Sequence, residues 1–399
     1  GITEEIISKL SRIADLPVAS RTSVQRFKNT TLDIREIANM VGVRYILEGS
    51  VRKAGDQLRI TAQLIDSENG FHVWSKDFDG SLDDIFDVQE TTAMQIAEAL
   101  DIHLSPQERD AVQRRFINNS EAYDAYLRGQ AFIIKWDELE DLESAQTQFE
   151  KALELEPHYP PALAGLASVE AQTYRNHDPD EARLLRGIEL ASRALELDPS
   201  LVRGHVALGE LAAVRYDYTG ATQRFREAAA IEPDNALIWD FLSWSLAYQH
   251  PPDPLGAEEA ARKAITLAPD FFNAFYHLAR ALNLQGRYEE AIASLEHIYK
   301  LRPNSTLALM GLTQTYLAMG NLELARKFSD LNMQTSASPI ELSLRCFIEG
   351  ADGNNDAALE CLEKLLKVNY RDFEALDSTP YLANLRTDPR YQALLDRYK

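Results

Sequence analysis

Side-chain oxygens crowd together in two short acidic clusters, Asp77-Phe-Asp-Gly80 and Asp352-Gly-Asn-Asn-Asp356. Neither completes a calcium loop, which spaces its acceptors regularly and closes on a bidentate Glu. The first reads as a strand end leading into a helix cap, the second as a turn between helices. The 8 histidines are scattered. The chain contains no glycine-rich phosphate loop, His-x-x-x-His, Cys-x-x-Cys or Gly-x-Ser-x-Gly elbow, so catalysis has no visible carrier. No enzyme activity, metal or other cofactor is expected. Cys346 and Cys361 fall in one predicted helical hairpin. Buried free thiols are expected there, with a disulfide as the alternative.

With 399 residues, 45% of them hydrophobic, the chain can bury the cores of two or three domains. Its formal net charge of -21 repels nucleic-acid phosphates and anionic lipid heads, which argues against both as main partners. No apolar run approaches the roughly 18 residues of a membrane-spanning helix, so no membrane insertion is expected. The sequence starts at Gly1 without Met, so a signal or anchor further upstream stays open. A cytoplasmic location is expected, with the periplasm or envelope as the alternative.

The chemistry-bearing residues sit on elements whose periodicity changes along the chain. Ile2, Ile6, Ile7 and Leu10 share one face of a first helix, with Thr3 as its N-cap. Leu16–Ser20 reads as a short strand and Asp33–Val41 as a second helix. Tyr45–Arg52, Leu58–Asp66 and His72–Phe78 alternate with period two, and Gly55 and Gly70 fall in the intervening turns, which predicts an antiparallel meander. A long helix follows, capped by Ser81, with Asp83 and Asp84 at its positive end. On the stretches Gly1–Glu5, Val41–Arg52, Arg59–Asp66 and Val73-Trp74, residues 1–104 resemble the TolB-like N-terminal domain of bacterial signalling proteins. In that family the domain lies between an upstream effector, often an adenylate cyclase or winged-helix domain, and a downstream helical repeat array. The family's apolar opening strand is absent here. The resemblance therefore implies an unpaired sheet edge, and with it a homodimer through that edge or re-pairing within the chain.

From Tyr123 onward one template recurs: Phe149–Pro157, Ala191–Pro199, Phe225–Pro233, Ala261–Pro269 and Leu295–Pro303. The prolines are 42, 34, 36 and 34 residues apart. This spacing resembles the tetratricopeptide repeat, whose hairpins set small residues against large ones where two helices cross. Leu208, Gly209, Ala221, Phe225 and Ala228 fit that pattern in one repeat. The extra length near Arg175–Glu181 reads as a longer loop or first helix. The predicted fold class is mainly α: a small α+β domain (1–104), a linker helix (105–122), an α-solenoid of about seven tetratricopeptide hairpins (123–372) and a C-terminal capping helix (373–399).

The resemblance also points to the positions of each first helix that face the concave side. Here they are Arg203, Glu210, Asp240, Phe241, Trp244, Tyr248, Tyr276, His277, Arg280, Asn283 and Gln314, rich in the types that dominate binding hot spots. The alternative is that Phe241, Trp244 and Tyr248 pack against neighbouring helices. The two-carboxylate clamp of chaperone-binding repeats is not matched. The reading is a non-catalytic scaffold in bacterial signalling that holds a protein or peptide in its groove. The alternatives are a cell-envelope assembly scaffold and the regulatory C-terminal part of a nucleotide cyclase.

Overall fold

The computed structural model describes residues 2–19, 24, 27–28, 30–54, 57–81, 84–113, 117–133, 139–334, 339–368, 370 and 372–398. The chain divides into two compact units, Gly1–Phe241 and Leu242–Lys399.

The first unit opens with α1 (Ile2–Leu10) and α2 (Ile34–Val41). Asp33 caps α2 in a reciprocal box: its carboxylate accepts from the Arg35 N–H, and the Glu36 carboxylate accepts from the Asp33 N–H. Strands β1 (Tyr45–Ala54), β2 (Gln57–Asp66) and β3 (Phe71–Ser81) form an antiparallel sheet with β2 central. The residues of β2 alternate between core and solvent because the period-two pattern buries one face only. Arg59 and Asp79 pair on the polar face. Gly70 makes the β2–β3 turn at φ 77°, a left-handed conformation that side chains disfavour. Gly55 and Asp56 lie outside the described residues.

Several expectations for this region need correction. Residues 16–19 form no strand: Leu16 and Val18 pack as irregular backbone against Ile6, Leu10 and Ile13, and Ser20 lies outside the described residues. Thr3 is inside α1 instead of capping it. Ser81 ends β3, and Asp84 is the cap residue of α3 (Ile85–Ala99), where its carboxylate accepts from the Ser81 N–H and hydroxyl. Those two donors hold the Asp84 carboxyl below its usual range. Asp83 lies outside the described residues. The predicted linker helix is α4 (Pro106–Gln113) followed by irregular residues 117–119.

Three helical hairpins complete the unit: α5 (Ser120–Ile133) with α6 (Leu139–Leu155), α7 (Pro160–Asn176) with α8 (Glu181–Leu197), and α9 (Val202–Val214) with α10 (Tyr218–Ile231). The 42-residue spacing is taken up by lengthening, since α7 and α8 run 17 residues each against 13 for α9. Phe149 of α6 is fully buried, and a Cβ on Gly129 or Gly165 would lie 2.7 Å from its ring. The ring therefore fits only where both its own hairpin and the next present bare backbone. Fully buried Glu170 is held by Arg183 at 3.1 Å and Arg186 at 2.8 Å, and Arg186 also reaches Glu150 at 2.8 Å. That arrangement ties α6, α7 and α8 together while satisfying a charge costly to bury alone. The α+β part covers the first hairpin: Leu58, Ile60, Ile85 and Phe86 share one core with Tyr123, Tyr126 and Phe149. Gln89 Nε2 donates to the buried Tyr123 hydroxyl at 2.9 Å.

Helix α11 (Ala236–Tyr248) begins in the first unit and ends in the second. The second unit continues with α12 (Pro254–Leu267), then α13 (Phe272–Leu284) with α14 (Tyr288–Leu301), α15 (Thr306–Ala318) with α16 (Leu322–Met333), and α17 (Pro339–Ala351) with α18 (Asn355–Lys367). Three of these hairpins turn on Gly286, Gly320 and Gly353, at φ 73°, 75° and 76°, as expected for left-handed helix stops. The predicted capping helix is α19 (Phe373–Ser378), two 3-10 turns (Pro380–Leu382 and Leu385–Thr387) and α20 (Pro389–Asp396). Cys346 and Cys361 are not free thiols: they form a disulfide between α17 and α18, with Cα atoms 5.3 Å apart. The two positions face each other across the crossing, so the spacing that buries both thiols also lets them join.

The small-against-large rule gives the first test. A Cβ on Gly209 would lie 2.4 Å from the Phe225 ring, and neither ring has room to retreat from a Cβ on its glycine. Gly129→Ala and Gly209→Ala are each expected to lower stability by about 1–3 kcal/mol, read as urea midpoints. Midpoints equal to the parent would show that the rings can yield.

Candidate inner-face binding site

In the hairpins that turn on Gly286, Gly320 and Gly353, positions on the first helices can be matched by counting back from the glycine. Six residues back stand Arg280, Gln314 and Phe347; three back stand Asn283, Leu317 and Gly350. Residues three apart on a helix share a face, so the two rows line one surface shared by α13, α15 and α17.

In the second unit the predicted residues converge on that surface. The Arg280 guanidinium lies over the Tyr248 ring, 4.6 Å from its centroid, a cation–π contact worth about 0.5–2 kcal/mol. The Tyr276 hydroxyl donates to Gln314 Oε1 at 3.2 Å, linking α13 to α15. Burial, with Tyr248 beside it, pushes the Tyr276 phenol well above its ordinary range; it stays a neutral donor. The His277 ring meets Tyr276 edge-on at 5.2 Å. Asn283 Nδ2 donates to Thr315 Oγ1 at 2.9 Å, while Asn283 Oδ1 is buried and accepts nothing. Trp244, Tyr248, His277, Arg280, Asn283 and Gln314 are all half-buried, and Tyr276 is buried.

The first unit treats its predicted residues differently. Arg203 donates to Gln130 of α5. Glu210 is buried and accepts from Gln172 Nε2 at 2.7 Å and Ser168 Oγ at 3.2 Å. Burial raises its pKa, against the opposing pull of Arg175 and these two donors. Asp240 is buried. Phe241 is a packing residue: its ring stacks on Phe225 at 5.1 Å with 14° between planes, at the position eight residues after the repeat proline that Gly165 and Gly311 occupy in two other hairpins. Sequence reasoning missed Gln130, Ser168, Gln172 and Phe347. Phe347 could have been found by counting back from Gly353. The lengthened second hairpin hides the register of Ser168 and Gln172.

The groups assembled here can hold a ligand by stacking, hydrogen bonding and a guanidinium charge. Among the described residues no cluster of His, Cys, Asp or Glu could hold a metal ion, and no helix is long and apolar enough to cross a membrane.

Residues 282–330, 260–293 and 137–159 match tetratricopeptide-repeat families. A tetratricopeptide repeat protein from Parabacteroides merdae superposes with a TM-score of 0.50 at 16% identity, covering 67% of this chain and 100% of that one. The helical hairpins are tetratricopeptide repeats, and the chain is mainly helical. Residues 1–95, expected to be a TolB-like domain, match the second domain of HilA/YgeH-like transcriptional regulators instead. The Rhizobium meliloti protein named "Putative adenylate cyclase 3" is 36% identical over 212 residues, 52% of this chain and 36% of that protein. A peroxisomal targeting signal receptor of Kluyveromyces lactis is 32% identical over 108 residues, 27% of this chain and 18% of that one. The chain thus spans about a third or less of these relatives.

Glu210 supplies a pH test. Because its folded pKa is raised, the neutral form is favoured in the fold. Its contribution is fully present below the ordinary unfolded value near about 4.3 and is lost as pH rises through the folded value. Thermal midpoints of the parent relative to Glu210→Gln are expected to improve as pH falls through that window. Parallel profiles would show that Glu210 titrates normally.

Proposed function

We propose that this chain is a non-catalytic scaffold in a signalling protein, holding a protein or peptide partner on the first-helix face of its second unit. The observation that carries the reading is the cluster of Tyr248, Tyr276, Arg280, Asn283 and Gln314. These side chains come from successive hairpins, are partly open apart from the buried Tyr276, and combine an aromatic–guanidinium pair with amide groups. Such groups recognise an extended chain through its backbone and one or two anchoring side chains.

Tetratricopeptide proteins serve as interaction scaffolds, and the relatives' names include a targeting signal receptor. The signalling role is supported by the cyclase-named relative and by the regulator family matched at residues 1–95. Both fit a part that couples a partner to an effector carried elsewhere in a longer protein. Among the described residues β1 is an edge strand, which is the geometric basis for the homodimer we propose.

A photoreactive phenylalanine analogue placed at Trp244 or at Asn283 and expressed in a bacterial host tests the reading. Both positions are expected to crosslink the same protein, with the yield falling several-fold when Arg280→Ala is added. The same analogue at Leu301, exposed at the end of α14, is expected to give none. Equal products from all three positions would refute the site, and cyclase, kinase or hydrolase turnover by this chain would refute the scaffold.

A further inference from the structure

After α18 the chain turns back across the surface that carries the candidate site. Tyr381 packs on the cluster formed by Leu317 of α15 and Ile348 of α17. Its ring lies 6.1 Å from that of Phe347. A Cβ on Gly350 would lie 2.6 Å from Leu382 and 2.7 Å from the Tyr381 carbonyl. Phe347, Gly350 and Leu317 belong to the two rows that also contain Arg280, Asn283 and Gln314. Arg280 itself acts electrostatically on the Tyr381 phenol, as does Tyr288 at the start of α14. Just upstream, Asp372 is within electrostatic reach of His250, which follows α11. Residues 372–382 therefore pack against α15 and α17 and lie within electrostatic range of Arg280 and His250. Tyr381 and Leu382 sit on the inner rows where these are formed by Leu317, Phe347 and Gly350.

The chemistry of the segment fits that face. Thr379 is extended, and Pro380 follows it with φ fixed by its ring. The next two residues, Tyr381 and Leu382, are one aromatic and one aliphatic anchor. Leu382 is fully buried, seated where Gly350 leaves out a side chain. The Arg386 guanidinium donates to the Thr379 carbonyl at 2.9 Å, holding the segment bent. Beyond it, Leu385, Tyr391, Leu394 and Leu395 anchor the tail on the α18 core, so the strap is fastened at both ends.

We propose that Thr379–Leu382 is a built-in occupant of the inner rows, an intramolecular pseudo-ligand that a partner must displace to reach Arg280 and Gln314. The displacement rests on the reading of this face as the partner site; the covering does not. A tethered segment competes at an effective concentration near the millimolar range, so it would set an affinity threshold without blocking strong partners.

Hydrogen exchange on the full chain reads the covering without any partner. Tyr381→Ala is expected to speed exchange several-fold across residues 279–290, which no sequence-local effect can reach, while Tyr381→Phe leaves it near the parent rate. Exchange unchanged in 279–290, or altered only within 340–398, would overturn the proposal. If Tyr381→Ala loosens the whole second unit, a second measurement decides. His250→Cys with Asp372→Cys, native disulfide intact, is expected to join within one molecule through a short bismaleimide. Failure to join in the folded chain would equally overturn it. A strap confirmed by both, beside inner-face positions that capture no protein, would retain the covering and remove the binding role.

Discussion

Everything in the repeat region follows from one steric constraint: a large side chain on one helix must find a position without a side chain on its neighbours. Phe149 lies against Gly129 and Gly165, Phe225 against Gly209, and Leu295 against Gly311, whose Cβ would come within 2.3 Å of it. Burying a ring without voids fixes the distance and angle at which two helices cross. Once each crossing is fixed, the face of the first helix turned away from it is fixed too, and residues at matching distances from the turn glycines fall into rows. The candidate site and the strap are both consequences of that packing. Leu382 extends the rule past the last hairpin by filling the space that Gly350 leaves.

The two units use their inner positions differently. In the first, inner positions are used internally: Phe241 stacks on Phe225, and Glu210 is tied to Ser168 and Gln172. In the second, Tyr248, Arg280, Asn283 and Gln314 remain partly open. A half-open aromatic beside a guanidinium can gain from burial against a partner, whereas a fully satisfied carboxylate cannot. The α+β part acts on the array differently. It buries Tyr123 and Tyr126 and so supplies the covering that a terminal repeat of a solenoid requires.

Much of this was legible in the sequence because the signals were periodic. The recurring prolines located the second helices, the period-two runs located β1 to β3, and the apolar spacing within Asp33–Val41 located α2. The errors fall where one residue type serves two ends. Leu16 and Val18 look like strand residues because they are branched and apolar, yet they are partly buried without any ladder. Ser81 and Asp84 are both good caps, and only the extent of β3 decides between them. The spacing of Cys346 and Cys361 does not by itself distinguish free thiols from a disulfide, because pairing depends on how the two helices face each other. Phe241 falls on a repeat position that faces the concave side in the family, but a ring there can stack on Phe225 instead. The strap was invisible, since no periodic pattern connects Tyr381 to Arg280.

The central claim, that the inner rows recognise a peptide segment, is tested most directly by calorimetric titration with a synthetic peptide of residues 376–388. The receiving chain would carry Tyr381→Ala and Leu382→Ala, so that its own strap has lost both anchors. Saturable binding at one peptide per chain, weakened at least tenfold by Arg280→Ala, is the result expected. Heats no larger than dilution, or binding indifferent to Arg280, would contradict it.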